Sequence, residues 1–429
     1  LRELVLDPRP NVLDSLVLVA VPIYNADGNE KVGPQARQRS EQNGPELVGQ
    51  RPNAAGLDLN RDYIKAEAPE TRAALALLNA WDPDVFVDLH TTNGSYHGYA
   101  LTWSPSLHPG APLRGFNQDT LLPELQRRLG ARRNVATFPY GNFALEYGAD
   151  VNADTTKQGW YTYDHRPRFG TNYYGLRGRL SVLLETYSHD PFERRVRSMH
   201  ASVAELLSLL AEAGADVQAR AARFRAVGDT LGVLRARLTE RPVVREVVAE
   251  DLARTTDTVR TEAGVPRGLR RTGRFRTVRI PVYDRFTATL AQRVPAGGWA
   301  LAADAPGAEA AVRLLRTHGV VVERLDEGAP VDASVFRADS VVMAARPFQG
   351  HREVRLEGAW RTERRRLDAG AYVIPASQRF TLVALQLLEP QSDDGLTTWN
   401  VFDAALRPGG DHPVVRLDAP PSGRRRAVE

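Results

Sequence analysis

The chain has no cysteine. Disulfides, thiolate metal sites, iron–sulfur clusters and thiol nucleophiles are therefore excluded, and any metal must be held by His, Asp or Glu. Methionine is almost missing, with Met199 and Met343 alone, and so is lysine: Lys31, Lys65 and Lys157 stand among 56 basic residues, the rest being arginine. Set against 52 carboxylates, that leaves a net charge of +4, and an arginine bias spread along the whole chain reads as genomic composition, not as a nucleic-acid surface. No apolar run approaches the ~18 residues of a membrane-spanning helix, so a span is excluded within this sequence. What is present is ordinary for a globular protein: 429 residues, 42% apolar and 25% charged. At roughly 100 to 200 residues per domain, two domains are expected.

The first half alternates short β-branched runs with longer amphipathic stretches, the pattern of an α/β domain. Residues 16–21 (LVLVAV), 85–89 (VFVDL) and 180–184 (LSVLL) are nearly continuous in apolar side chains, which predicts buried central strands. Helical spacing runs over 67–81 and 120–129, and after Pro191 it continues through Val196, Met199, Val203, Leu206, Leu207 and Leu210, a helix that closes the first domain. Beyond Gly228 the texture changes. Residues 273–293 (GRFRTVRIPVYDRFTATLAQR) alternate arginine with apolar side chains as strands with one wet face do. Residues 299–325 read strand, helix, strand, with Pro306 near the helix start and Gly319 past its end. Short strands are predicted at 371–374 and 382–387. The boundary between domains is drawn at 226/227.

Three of the expected strands run out into polar residues: the first into Asn25, Asp27 and Gly28, the second into His90, the third into Glu185. Ligands in open α/β sheets bind beyond the carboxyl ends of the strands, so these endings converge on one rim. A His and a Glu there suit metal-assisted hydrolysis, with imidazole as ligand and carboxylate as base; a capped or hydrogen-bonded turn histidine is the plain alternative.

Between the first two strands stands Arg51, Asn53, Gly56, Asp58, Leu59, Asn60, Arg61 (RPNAAGLDLNR). With the N-x-D-G element upstream, and strands ending in His and Glu downstream in that order, the sequence resembles the zinc carboxypeptidases of the M14 peptidase family over about residues 1–210. The resemblance implies an α/β fold, a mixed sheet flanked by helices, for residues 1–226, with residues 227–429 a second, β-rich α/β accessory domain. It implies that Asn60 and Arg61 grip a substrate's terminal carboxylate, a role that suits a planar guanidinium beside an amide. Arg51, nine positions before Asn60, matches the arginine that stabilises the tetrahedral oxyanion. Arg37 and Arg39 lack that spacing and read as solvated loop residues. His90 becomes a zinc ligand and Glu185 the general base; Asp58 either orients a ligand histidine or caps the turn before Asn60. A mobile tyrosine that closes over substrate corresponds to Tyr163 in preference to Tyr161, while Tyr173 and Tyr174 read as core or rim aromatics.

The departure from the family concerns the metal. Its other two zinc ligands come from an H-x-x-E motif upstream of N-x-D-G, and the sequence has none. Residues 1–5 (LRELV) look like the last turns of the helix that carries it, so the expectation is a chain truncated at its N-terminus that binds zinc poorly by itself. His97, His165 and His189 are the remaining candidate donors. The leading reading is a zinc metallocarboxypeptidase acting on peptides with a free C-terminal carboxylate, for which the resemblance favours an extracytoplasmic location. An amidase or deacylase of acyl amino acids or cell-wall peptides is the neighbouring reading. A non-catalytic carboxylate-binding module is another. A nucleic-acid binder, suggested by the arginines of 267–279, is disfavoured by their alternation with Phe275, Val278 and Ile280.

Overall fold

A computed structural model of the chain describes residues 2–6, 11–92, 95–143, 159–223, 230–254 and 269–428. The amphipathic stretch before the second apolar run forms helix α1 (Pro69–Trp81), opened by proline and closed by Asp82 in the left-handed conformation. The first sheet follows: β1 (Val85–Thr91), β2 (Leu101–Pro105), then helix α2 (Leu122–Arg128) and β3 (Thr137–Pro139). After β4 (Trp160–Tyr161) and helix α3 (Gly170–Leu176) comes β5 (Leu180–Thr186), buried along its whole length. The sheet has four strands in the order β1-β5-β2-β3. It is mixed, β1 being parallel and β2 antiparallel to β5.

Period two decides the use of its faces. Leu180, Val182 and Leu184, with Leu101 and Trp103 of β2, join a core beneath the 32-residue helix α4 (Phe192–Arg223). Asp88, His90, Glu185, Thr102 and Ser104 take the alternate positions and so share the other face.

The run 16–21 departs from expectation. It forms no strand, and Val17, Leu18, Val19 and Val21 are exposed, Val17 by 83%. Leu16 at one end packs on the core that holds Val85 and Val87, and Tyr24 beyond the other end lies against Tyr63, itself against Phe86. The segment thus passes β1 without pairing to it. Among the described residues β1 keeps an open edge, with Leu89 half exposed. A strand is stable only with a hydrogen-bonded neighbour, and an apolar run without one stays extended and wet.

The second half is richer in strand. β6 (Leu231–Leu238) pairs with β9 (Phe286–Arg293), and the long hairpin β7 (Val243–Arg254) and β8 (Leu269–Tyr283) adds to β4. β10 (Gly298–Leu301), helix α5 (Ala308–Thr317) and β11 (Glu323–Leu325) realise the strand, helix, strand reading. β12 (Ala329–Met343) and β13 (Val354–Leu367) form a second long hairpin, followed by β14 (Tyr372–Ile374). The run at 382–387 is not a strand but helix α6 (Thr381–Leu388), all but one of its residues buried. A run broken only by Gln386 carries no clear period, and its leucines and alanine favour helix over β-branched strand. β15 (Asp411–Leu417) and β16 (Arg425–Ala427) complete a seven-stranded sheet, β13-β12-β15-β10-β14-β11-β16.

The expected boundary at 226/227 lies outside the described residues. One hydrophobic cluster nevertheless draws on both halves, Tyr63, Ile64, Leu75, Tyr173 and Tyr174 packing with Trp299, Val312, Leu315 and Phe402. His318 sits inside it, with Nε2 at 3.1 Å from the Ile64 carbonyl and Nδ1 at 2.7 Å from the Tyr173 hydroxyl.

Candidate active site

Register aligns the first two site residues. His90 of β1 lies opposite Glu185 of β5, and Thr102 of β2 opposite Glu185 on its other side. Directly paired side chains stand about 4.5–5.5 Å apart at Cβ, so the three make one row at the end of the sheet. Two residues down, Asp88 and Ser104 flank Leu183 in the same way. His90 Nε2 donates to Asp88 Oδ1 at 2.9 Å. Burial disfavours the charged imidazole, but Asp88 and Glu185 reverse the balance and raise its pKa.

The polar segment between 25 and 61 brings Arg51 within electrostatic reach of His90 and Glu185, and each motif residue has a local reason. Asn25 accepts from Gly28 N at 2.9 Å and donates to the Arg51 carbonyl at 2.8 Å; Asp27 accepts from Ala54 N at 3.1 Å. A side chain at Gly28 would collide with Asn25 and with the Gln50 carbonyl, so this close approach requires glycine. Asn53 Oδ1 accepts from Ala55 N and Leu57 N, closing a turn that Gly56 completes in the left-handed region. Asp58 then caps the single turn Leu59–Arg61 by accepting from Asn60 N at 3.0 Å.

The same aspartate pairs with Arg51, Nε to Oδ2 at 2.7 Å. Burial works against its charge, yet Arg51 and Arg61 hold the Asp58 carboxyl below its ordinary value. Arg51 is exposed and lies within electrostatic reach of Glu185 and Tyr140. Arg61 stacks on Phe169 at 4.0 Å, and Asn60 Oδ1 accepts from Gly170 N at 3.0 Å, which ties the turn to the start of α3.

Tyr163 is brought to the site too, though not as an exposed lid. It is buried among Leu107, Tyr140, Phe169 and Leu183, with its hydroxyl beside Ser104 and Thr171 and no hydrogen bond of ordinary geometry among the described residues. Burial pushes its pKa up, and Glu185 and Asp88 add to that. Tyr161 lies apart, stacked on Tyr283; Tyr173 and Tyr174 are core residues. Arg39 departs from its reading as a solvated loop residue. It is partly buried close enough to Arg51 that burial and the like charge lower its pKa. Asp88, Ser104 and Tyr140 went unnoticed in the sequence; only the first carries a signal, its alternation with His90.

The fit to zinc fails for the described residues. No group of three or more His, Asp or Glu side chains among them is arranged to hold a metal ion. His97 accepts from Tyr99 N, His165 is engaged by Asp393 at 3.0 Å, and His189 stacks on Tyr96, so none joins His90. No helix among the described residues is long and apolar enough to cross a membrane.

No family model and no curated protein matches the chain. Partial likeness is found to solved structures. A metallo-carboxypeptidase from Burkholderia cenocepacia matches with 21% identity and a TM-score of 0.27, over 38% of this chain and 41% of its own. A metallo-carboxypeptidase from Pseudomonas aeruginosa in complex with (2-guanidinoethylmercapto)succinic acid matches with 22% identity and a TM-score of 0.27, over 39% and 42%. The chain spans about two fifths of the length of these structures, and a likeness so partial has no bearing on the site.

Proposed function

We propose that this site takes the free C-terminal carboxylate of a peptide and belongs to a hydrolase of the metallocarboxypeptidase type. The observation that carries the reading is the row His90, Glu185, Thr102 with Arg51, paired to the Asp58 that caps the Asn60 and Arg61 turn, in electrostatic reach of it. Asn60 and Arg61 receive the carboxylate, which fixes the amide beyond it above Glu185. Glu185 accepts a proton from the attacking water as the oxygen bonds to the carbonyl carbon. The carbonyl electrons move to oxygen, where the Arg51 guanidinium faces the developing charge. Collapse of this intermediate breaks the C–N bond, and the proton held by Glu185 passes to the leaving amine.

A bound zinc ion would supply Lewis-acid polarisation, and His90 offers one donor. An extracytoplasmic location goes with this reading.

The test supplies zinc and peptides to the protein. It should release C-terminal amino acids from peptides, and Glu185→Gln should lower kcat by about a hundredfold or more. Arg61→Ala should weaken peptides with a free C-terminus far more than amidated ones. Retained turnover in Glu185→Gln, or equal losses on both peptides, sinks these assignments. A second reading, a carboxylate-binding module without catalysis, is favoured by the missing metal group among the described residues; it predicts the Arg61 result without turnover.

A further inference from the structure

The second half of the chain reaches the turn that Asp58 caps. The hairpin of β12 and β13 ends in a tight turn in which Phe348 N donates to the His351 carbonyl at 2.7 Å and His351 N to the Phe348 carbonyl at 3.0 Å. Its two central residues, Gln349 (φ +50°) and Gly350 (φ +85°), are both left-handed, as such a two-residue turn demands. Glycine takes that conformation freely; glutamine does so at a cost, so its side chain must repay its presence.

The side chain reaches Asp58, whose N–H donates to Gln349 Oε1 at 3.0 Å across 291 residues of sequence. Neighbouring contacts hold the turn there. His351 bonds Glu67 at 2.7 Å and Asn400 at 2.9 Å, and Glu353 pairs with Arg168 at 2.6 Å. A backbone N–H can only donate, so the oxygen of Gln349 is committed to Asp58 and its Nε2 faces away. That nitrogen has no partner among the described residues. It carries two N–H donors beside the residue that caps the Asn60 and Arg61 turn.

We propose that Gln349 is a substrate-binding residue, its Nε2 donating to the ligand carboxylate alongside Asn60 and Arg61, so that the C-terminal half completes the carboxylate pocket. The inference rests on the carboxylate reading above. A carboxylate offers about four lone-pair sites, more than a guanidinium and one amide saturate when each is partly engaged by the protein.

The experiment measures calorimetric binding of N-acetylphenylalanine and of its neutral amide to the 429-residue chain and two variants; no metal is needed. Gln349→Glu keeps an acceptor for Asp58 N but replaces the donors with an anionic oxygen. It should weaken the acid about tenfold or more and leave the amide ligand within about twofold. Gln349→Gly relieves the turn while removing the side chain, and should weaken the acid about three- to tenfold with an unchanged or higher urea midpoint. Wild-type affinity for the acid in Gln349→Glu, or a loss in Gln349→Gly that is equal for acid and amide, overturns the proposal. A wild-type chain that does not distinguish acid from amide overturns the carboxylate reading itself, an outcome separate from the other two.

Discussion

His318 joins the two halves of the molecule, and its replacement by leucine tests whether they unfold as one. The imidazole is fully buried. Because the Ile64 carbonyl can only accept, Nε2 carries the proton and Nδ1 accepts from the Tyr173 hydroxyl. The ring is therefore neutral, and burial pushes its pKa down to about 3. His318→Leu strands a buried carbonyl and deprives the Tyr173 hydroxyl of its acceptor. At roughly 1–2 kcal/mol for each, the variant should be about 2–4 kcal/mol less stable at pH 7.

The pH dependence follows with a definite sign. The folded-state pKa lies below the unfolded value of about 6.5, so the contribution of the neutral ring is complete above that pH and is lost as pH falls towards 3. In that window the unfolded chain takes up a proton that the folded one refuses, which costs the wild type about 1.4 kcal/mol per pH unit. Leucine cannot titrate. The difference between the two proteins should therefore shrink by about 2.3 kcal/mol between pH 6.5 and pH 4.5, the unfolded histidine being already half protonated at the upper value. Urea unfolding at both pH values, followed by tryptophan fluorescence with Trp299 in the same cluster, reads this directly. A difference that is the same at both values, or a loss below about 1 kcal/mol at pH 7, would refute the reasoning.

Two further outcomes are expected. Gly28→Ala forces a methyl group against Asn25 and the Gln50 carbonyl, and should cost about 1–3 kcal/mol while loosening the loop that carries Arg51; amide hydrogen exchange over residues 50–58 should rise, and unchanged protection would refute the anchoring role. Replacing Val17, Val19 and Val21 together by threonine should change stability by no more than about 0.5 kcal/mol per site and reduce self-association in light scattering; a loss of several kcal/mol would mean that the run is packed.

The candidate site was legible where chemistry and local geometry share one stretch of chain. Arg51 to Arg61 could be read because Asn53, Gly56 and Asp58 each satisfy a local backbone requirement within a few residues. Arg39 and Gln349 could not be read. Each arrives from a separate segment, and neither sits in a pattern that specifies its target.

The same division holds for the fold. Local pattern determined the strands at 85–91 and 180–186, the faces that His90 and Glu185 take, and helix α4, because the periods of two and 3.6 are properties of a chain against a single apolar surface. Only the tertiary structure decided which apolar runs find such a surface. Residues 16–21 carry as strong a strand pattern as 85–89, yet all but Leu16 lie exposed beside an open edge, since pairing needs a neighbour that hydropathy cannot supply. Residues 381–388, apolar almost throughout, became a helix because burial on every side erases the period that would have identified it.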